Sequence, residues 1–163
     1  MPTTVTRIFE FDAAHRVLHH GSKCQHLHGH RYVVEVVISN PDDVLDQLGM
    51  VVDFGVIKEI IGDYIDTVYD HNSMFNSNDL FAQLDEEYFA KPPVMFFNEN
   101  PTAENIARKM HGEFTGLLSA EAIEGGYTEY LIVDSVTVRE TPKCFATYTP
   151  PKETKDVLSP SNN

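Results

Sequence analysis

The sequence is poor in the residues that build disulfide frameworks, membrane spans and nucleic-acid-binding surfaces. Its 163 residues include two cysteines, Cys24 and Cys144. Such sparse and distant cysteines indicate a reducing compartment and argue against a disulfide framework. No apolar run approaches the roughly 20 residues that a membrane-spanning helix needs, and residues 1–4 lack the form of a signal peptide. We therefore expect a cytoplasmic protein without a membrane partner.

Positive charge is also scarce. Lysine and arginine number 12 against 25 aspartates and glutamates, which gives a formal net charge of −13. Because binding to a phosphate backbone needs a basic face, nucleic acid is not an expected partner. A small anionic substrate is compatible with this composition, since Arg16, Lys23 and Arg31 flank a histidine-rich stretch. The alternative, that these three are solvated surface charges, stays open.

Local patterns predict four strands and two helices. The first helix is expected to start after the N-cap Asp53, with an apolar stripe from Ile57 to Val68. The second is expected to start after the N-cap Thr102 and to stop at the glycine pair 125–126. Apolar alternation or β-branched composition predicts the strands, which are residues 5–11, 32–38, 130–138 and 144–148. The nearly all-apolar second strand is expected to be covered on both faces.

The order of these elements indicates the fold class. Strands at both ends of the chain with helices between them predict an α+β fold of order ββααββ, with two helices on one face of a four-stranded antiparallel sheet. Residues 1–148 are expected to form one domain. Residues 149–163 are proline-rich and polar and are predicted to be a disordered tail. Residues 73–98 are predicted to be a long, acidic, irregular excursion, and such loops are often functional.

The stretch from Cys24 to His30 carries one thiol and three imidazoles. His28 and His30 are two residues apart on the approach to a strand, so their side chains point the same way. His15 ends the preceding strand, and pairing of the two strands would bring it to the same point. Three nitrogen ligands with an open fourth position are typical of a catalytic zinc site. The alternative is that His15 is an ordinary, partly buried histidine.

Cys24 has two interpretations. As a fourth ligand it would close a structural zinc site, but the paired Cys-x-x-Cys spacing of most such sites is missing. A thiol beside a cation and imidazoles is instead suited to act as a base or nucleophile. Three further histidines are predicted to lie on the surface: His19, His20 and His26.

Three other positions could carry chemistry. Asp70 and His71 follow the first helix, and a carboxylate beside an imidazole is the usual pair for proton transfer, although a helix C-cap on the surface is the alternative. Glu140 ends a strand and could accept two N–H groups from the edge of a heterocycle, or be solvated. Cys144 is predicted to be a core residue.

Five segments together are similar to one family. They are Phe11-Asp12-Ala13-Ala14-His15, Cys-x-x-x-His-Gly-His over residues 24–30, Asp70-His71-Asn72, Pro101-Thr102-Ala103-Glu104-Asn105 and Val138-Arg139-Glu140-Thr141. In this order they resemble the 6-pyruvoyl-tetrahydropterin synthase / 6-carboxytetrahydropterin synthase family over about residues 5–148.

The resemblance implies a fold, an assembly and a set of site residues. The fold is the tunnelling fold (T-fold), whose protomers associate into a β-barrel with active sites at subunit interfaces. A homohexamer built as a dimer of trimers is expected, with a tetramer as the alternative. The implied roles are Zn²⁺ binding by His15, His28 and His30, proton abstraction by Cys24, proton transfer by Asp70 with His71, and pterin binding by Glu140 with Thr102.

The implied substrate is 7,8-dihydroneopterin triphosphate. Three residues separate Cys24 from His28, which resembles the branch that forms 6-carboxy-5,6,7,8-tetrahydropterin, acetaldehyde and triphosphate for deazaguanine (queuosine-type) synthesis. Two alternatives stay open. One is a pyruvoyl synthase that only eliminates triphosphate, and the other is a non-catalytic zinc- or pterin-binding module.

Overall fold

The computed structural model describes residues 3–84, 86–125 and 131–151. The strands are β1 (Thr4–His15), β2 (His28–Ser39), β3 (Asn72–Asn76), β4 (Val94–Phe96), β5 (Ile132–Thr141) and β6 (Cys144–Tyr148). The helices are α1 (Phe54–Ile57), which continues through a π-helical segment (Lys58–Gly62) into α2 (Asp63–Val68), and α3 (Ala103–Gly125). Short 3₁₀ turns occupy Lys23–Gln25, Leu80–Gln83 and Glu86–Tyr88.

Within the described ranges, these strands form a single six-stranded sheet in the order β4-β3-β1-β2-β5-β6. Neighbours from β1 to β6 through β2 and β5 are antiparallel, whereas β3 pairs parallel to β1 and β4 parallel to β3. The predicted four-stranded antiparallel sheet was therefore wrong in strand number and partly in direction. The two added strands lie in the segment predicted to be irregular. They are short, and Met74 and Phe75 are both fully buried, so no period-two pattern marks them.

The helices cover one face of the sheet, as predicted. Ile57, Ile61 and Ile65 are buried in the same apolar cluster as Val34 and Val136 of the central strands. Asp53 caps α1 by accepting a hydrogen bond from the Gly55 N–H at 2.6 Å, which confirms the predicted start. The opposite face of β2 is only partly covered in this chain, so the expectation that both faces are covered was wrong for the protomer.

The hairpin of β1 and β2 is longer at both ends than predicted. Twelve residue pairs join the strands, from Thr4 with Ser39 to His15 with His28. The convergence of His15 with the His-Gly-His stretch is thus confirmed, and it follows from this register.

Two expectations concern the chain as a whole. In the described segments, no helix combines the length and apolarity needed to cross a bilayer. The predicted disordered tail lies outside the described residues from position 152 onward, so that prediction stays a prediction.

Candidate metal centre and active-site cavity

Three histidines meet where β1 ends and β2 begins. Ala13 pairs with His30 and His15 pairs with His28, so all three rings project from the helix-covered face. One ring nitrogen from each histidine lies within 4.8 Å of the others. Gly29 lies between the two histidines of β2, and a Cβ there would approach the Ala13 carbonyl oxygen to 3.1 Å. A side chain at this position would therefore push the two strands apart at the site.

Backbone carbonyls orient two of the rings. His15 donates from Nδ1 to the Pro101 carbonyl at 2.7 Å, and His28 donates from Nδ1 to the His26 carbonyl at 2.7 Å. Because a carbonyl only accepts, the proton of each neutral ring is on Nδ1 and the Nε2 lone pair is free. These two Nε2 atoms are 3.1 Å apart, close to the spacing of about 3.3 Å between two nitrogens on a tetrahedral zinc ion.

The electrostatics of the cluster also suit a metal ion. Burial lowers the pKa of His15 to about 4, helped by the neighbouring His28 and His30, and burial likewise lowers the pKa of His30. Neutral imidazole is the form that binds metal. The His30 Nε2 atom is buried, and the part of the chain that the structure describes offers it no hydrogen-bond partner. The residues present therefore fit a divalent metal bound by three nitrogens.

A cavity of about 700 Å³ opens beside the histidines. The structure brings Cys24, Thr102 and Glu140 to its wall together with the cluster. Cys24 lies in the 3₁₀ turn before β2 and is half-buried. A thiol, a carboxylate and a histidine cluster able to bind a metal ion share this cavity, and together they can take part in proton transfer on one small substrate.

Among the residues that the structure describes, Glu140 is the carboxylate closest to the histidines. Its Oε1 lies 3.8 Å from the His15 Nε2 atom. Burial and the nearby Glu104 raise its pKa, while His28 opposes this shift. Glu104 also borders the cavity, a position that its sequence pattern did not reveal, because an acidic residue in the first turn of a helix already has a reason to be there.

Asp70 and His71 lie away from this cavity. His71 donates from Nδ1 to Asp70 Oδ2 at 2.6 Å, with the His71 side chain 77% exposed. Asp70 Oδ1 accepts from the Asp12 N–H at 2.9 Å. Although burial raises the pKa of Asp70, these bonds hold it below its usual value. His71 borders a second depression with Ala14 and Arg31, on the sheet face opposite to the cavity.

The cations predicted to flank the site have different neighbours. Arg16 forms an ion pair with the buried Asp79 at 2.9 Å, and Arg31 pairs with Asp12 at 2.6 Å on the opposite face. Lys23 lines the cavity, as does Lys143. Of the three arginine and lysine candidates, Lys23 is the one at the wall.

The second cysteine contradicts its prediction. Cys144 is exposed and lines the cavity, so its assignment to the core was wrong. It begins β6, next to the turn at Thr141, whose hydroxyl accepts from the Cys144 N–H at 3.1 Å. At a strand terminus the alternation of faces does not guarantee burial. The predicted exposure of His19, His20 and His26 is confirmed, and His20 also borders the cavity.

Comparisons with known proteins support the family resemblance found in the sequence. The sequence model of the 6-pyruvoyl tetrahydropterin synthase family matches residues 4–151. A 6-carboxy-5,6,7,8-tetrahydropterin synthase of Rickettsia conorii is 39% identical over 140 residues, which is 86% of this chain and 95% of that protein. The solved 6-pyruvoyl tetrahydropterin synthase of Caenorhabditis elegans is 25% identical with a TM-score of 0.59, over 91% of this chain and 96% of the other. An uncharacterised Wolinella succinogenes protein, also 25% identical, has a TM-score of 0.71, over 91% and 98%.

Proposed function

Because this chain belongs to the 6-pyruvoyl tetrahydropterin synthase family, we propose that it is a zinc-dependent lyase acting on 7,8-dihydroneopterin triphosphate. The products are 6-carboxy-5,6,7,8-tetrahydropterin, acetaldehyde and triphosphate, which makes the enzyme a supplier of deazaguanine (queuosine-type) precursors. The T-fold is that of solved family members, here with a sheet that contains six strands in its described part.

One observation carries the proposal: three imidazoles and a thiol converge on one cavity. The carboxy product is supported by relatives named 6-carboxy-5,6,7,8-tetrahydropterin synthase and by the three-residue interval between Cys24 and His28.

His15, His28 and His30 would hold the zinc ion. When bound, zinc supplies Lewis-acid chemistry that acidifies the hydroxyl groups of the substrate side chain. The carbonyl bonds to His15 and His28 keep both rings in the tautomer that presents Nε2, so the ligands are oriented before the metal arrives.

Cys24 is proposed as the base. As thiolate it removes a proton from the substrate carbon next to the carbonyl that develops, and triphosphate then leaves by elimination. Water then adds to the carbonyl carbon beside the ring, and cleavage of the adjoining carbon–carbon bond leaves the carboxylate on the pterin while the departing carbon takes up a proton and is released as acetaldehyde. Glu140 accepts N–H groups from the guanidine-like edge of the pterin and fixes the ring, with Thr102 beside it. A fixed ring keeps the side chain of the substrate between the thiol and the metal site.

Asp70 and His71 are proposed to carry out the second proton transfer in a neighbouring copy of the chain. The two side chains are hydrogen-bonded to each other, and the exposed His71 ring lies on the sheet face opposite to the cavity of its own subunit, so it is free to approach the Cys24 cavity of another subunit. This arrangement requires a homo-oligomer, proposed to be a hexamer with a tetramer as the alternative.

Turnover of purified protein tests the proposal. We expect acetaldehyde and triphosphate in equal amounts from dihydroneopterin triphosphate in the presence of zinc, and neither product with Cys24→Ala. Triphosphate without acetaldehyde would indicate the pyruvoyl product instead. Unchanged substrate would contradict an enzymatic function and favour a zinc- or pterin-binding module.

A further inference from the structure

The side chain of Asn100 forms hydrogen bonds to the backbone of Leu18, beside the histidine cluster. Its Oδ1 accepts from the Leu18 N–H at 2.8 Å, and its Nδ2 donates to the Leu18 carbonyl at 3.0 Å. Both backbone groups of one residue are thus held by a single amide, in the manner of a paired strand. Leu18 is three residues beyond the candidate ligand His15 and is only partly buried, so apolar packing does not by itself fix its position.

The segment of residues 17–18 is hydrogen-bonded to the turn that carries the Cys24 thiol. Val17, next to Leu18, donates its N–H to the Cys24 carbonyl at 2.8 Å. Residues 19–23 between them are exposed. The Val17 bond therefore transmits the position of the segment across the exposed loop to Cys24.

The backbone around Asn100 is itself well held. Its carbonyl accepts from the Asn105 side chain at 2.9 Å and from the Thr102 N–H at 2.8 Å. The next carbonyl, that of Pro101, accepts from the His15 ring. Two consecutive residues just before α3 thus hold the two parts of the site. Pro101 orients the candidate metal ligand His15, and Asn100 holds the segment that leads to the thiol.

We propose that Asn100 is a positioning residue that sets the distance between the Cys24 thiol and the histidine cluster. Its effect on catalysis rests on the proposed function, whereas its effect on the Cys24 turn does not. Removal of its amide should free the turn while the Pro101 carbonyl keeps His15 in place. The variant would then lose the alignment of the thiol with the metal site but would still bind the metal.

Two variants test this proposal. Asn100→Ala removes both bonds to Leu18. Asn100→Asp retains an acceptor for the Leu18 N–H but sets an oxygen against the Leu18 carbonyl, and it serves if the alanine variant folds poorly. The matched control is Asn78→Ala. It removes an exposed side-chain hydrogen bond to Asn98, and both residues lie within the excursion of residues 73–98. All variants carry Cys144→Ser, so that Cys24 is the single thiol.

The readouts separate positioning from general destabilisation. For both Asn100 variants we expect kcat to fall by about a hundredfold, the order expected for a small misplacement of a reacting group, with little change in KM. Peptides covering residues 16–25 should exchange amide hydrogens faster and Cys24 should react faster with iodoacetamide. The zinc dissociation constant, from competition with a chromophoric chelator, should stay near that of the parent, and Asn78→Ala should match the parent throughout.

Three outcomes would overturn the inference: unchanged kcat despite faster exchange, unchanged exchange at residues 16–25, or a loss of zinc affinity equal to the loss of kcat. If the parent protein does not turn over dihydroneopterin triphosphate, the proposed function fails. The exchange and alkylation measurements would still decide whether Asn100 holds the Cys24 turn.

Discussion

Removal of zinc should lower the melting temperature without unfolding the protein. The histidine cluster lies at the end of a twelve-pair hairpin, and the buried side chains beneath it form a continuous apolar core that includes Phe11, Tyr32 and Phe114. This core does not depend on the metal. We therefore expect the apoprotein to keep its fold, in contrast to small structural zinc domains, which unfold on chelation.

The size of the effect follows from the preformed site. At a zinc concentration of 100 times Kd, binding to the native state alone adds about 2.7 kcal/mol to the free energy of unfolding. In a domain of this length each kcal/mol shifts Tm by about 2–4 °C, so saturation should raise Tm by about 5–11 °C. Part of this gain has a structural cause. The buried His30 Nε2 atom lacks a hydrogen-bond partner among the described residues, which costs about 1–3 kcal/mol, and a bound zinc ion would satisfy it.

Differential scanning calorimetry with EDTA, and then with added zinc, measures this shift. His15→Ala and His30→Ala should abolish the response to zinc. His26→Ala is the matched control, because this exposed histidine is outside the cluster and retains the backbone carbonyl to which His28 donates. Loss of the cooperative transition in EDTA would refute the reasoning and favour a structural site. A full zinc response in His30→Ala would show that the three imidazoles are not the ligands.

Three further predictions concern catalysis and packing. Cys24→Ala should reduce turnover below detection while zinc, measured by chelator competition, still binds as in the parent; full turnover would refute its role as base. Mixed oligomers of Cys24→Ala and His71→Ala subunits, refolded together, should regain part of the activity that each variant lacks, and no recovery would count against a site shared between subunits. Ile61→Ala should lower the free energy of unfolding, measured in urea, by about 2–5 kcal/mol, because Ile61 is fully buried. Leu48→Ala, at an 82% exposed position, should change it by less than about 0.5 kcal/mol. Equal effects of the two substitutions would contradict the assigned core.

Local periodicity was sufficient for much of the fold. The alternation of β1, the apolar stripe of the first helix and the cap Asp53 are properties of contiguous residues, and each was predicted correctly. The histidine cluster could be predicted for the same reason. His28 and His30 share a strand face by spacing alone, and a hairpin places the end of the preceding strand beside them.

The misassigned parts depend on distant contacts. β3 forms a strand because the free edge of β1 accepts it in parallel, and its buried residues show no alternation. Cys144 was predicted to be a core residue, yet it begins β6 at the cavity wall. Asn100 resembled an ordinary residue before a helix. Its hydrogen bonds to Leu18, which is 82 residues away in sequence, cannot be predicted from the neighbouring residues.

The same division holds for the proposed active site. The amino-acid sequence by itself determined which side chains are available and which of them share a strand face, because these depend on residue spacing of two or 3.6 along one element. Only the tertiary structure decided that Cys24 and Glu140 face the histidines while Asp70 and His71 lie on the other side of the sheet. That separation is set by the register of β1 with β2 and by the parallel addition of β3, which are long-range pairings.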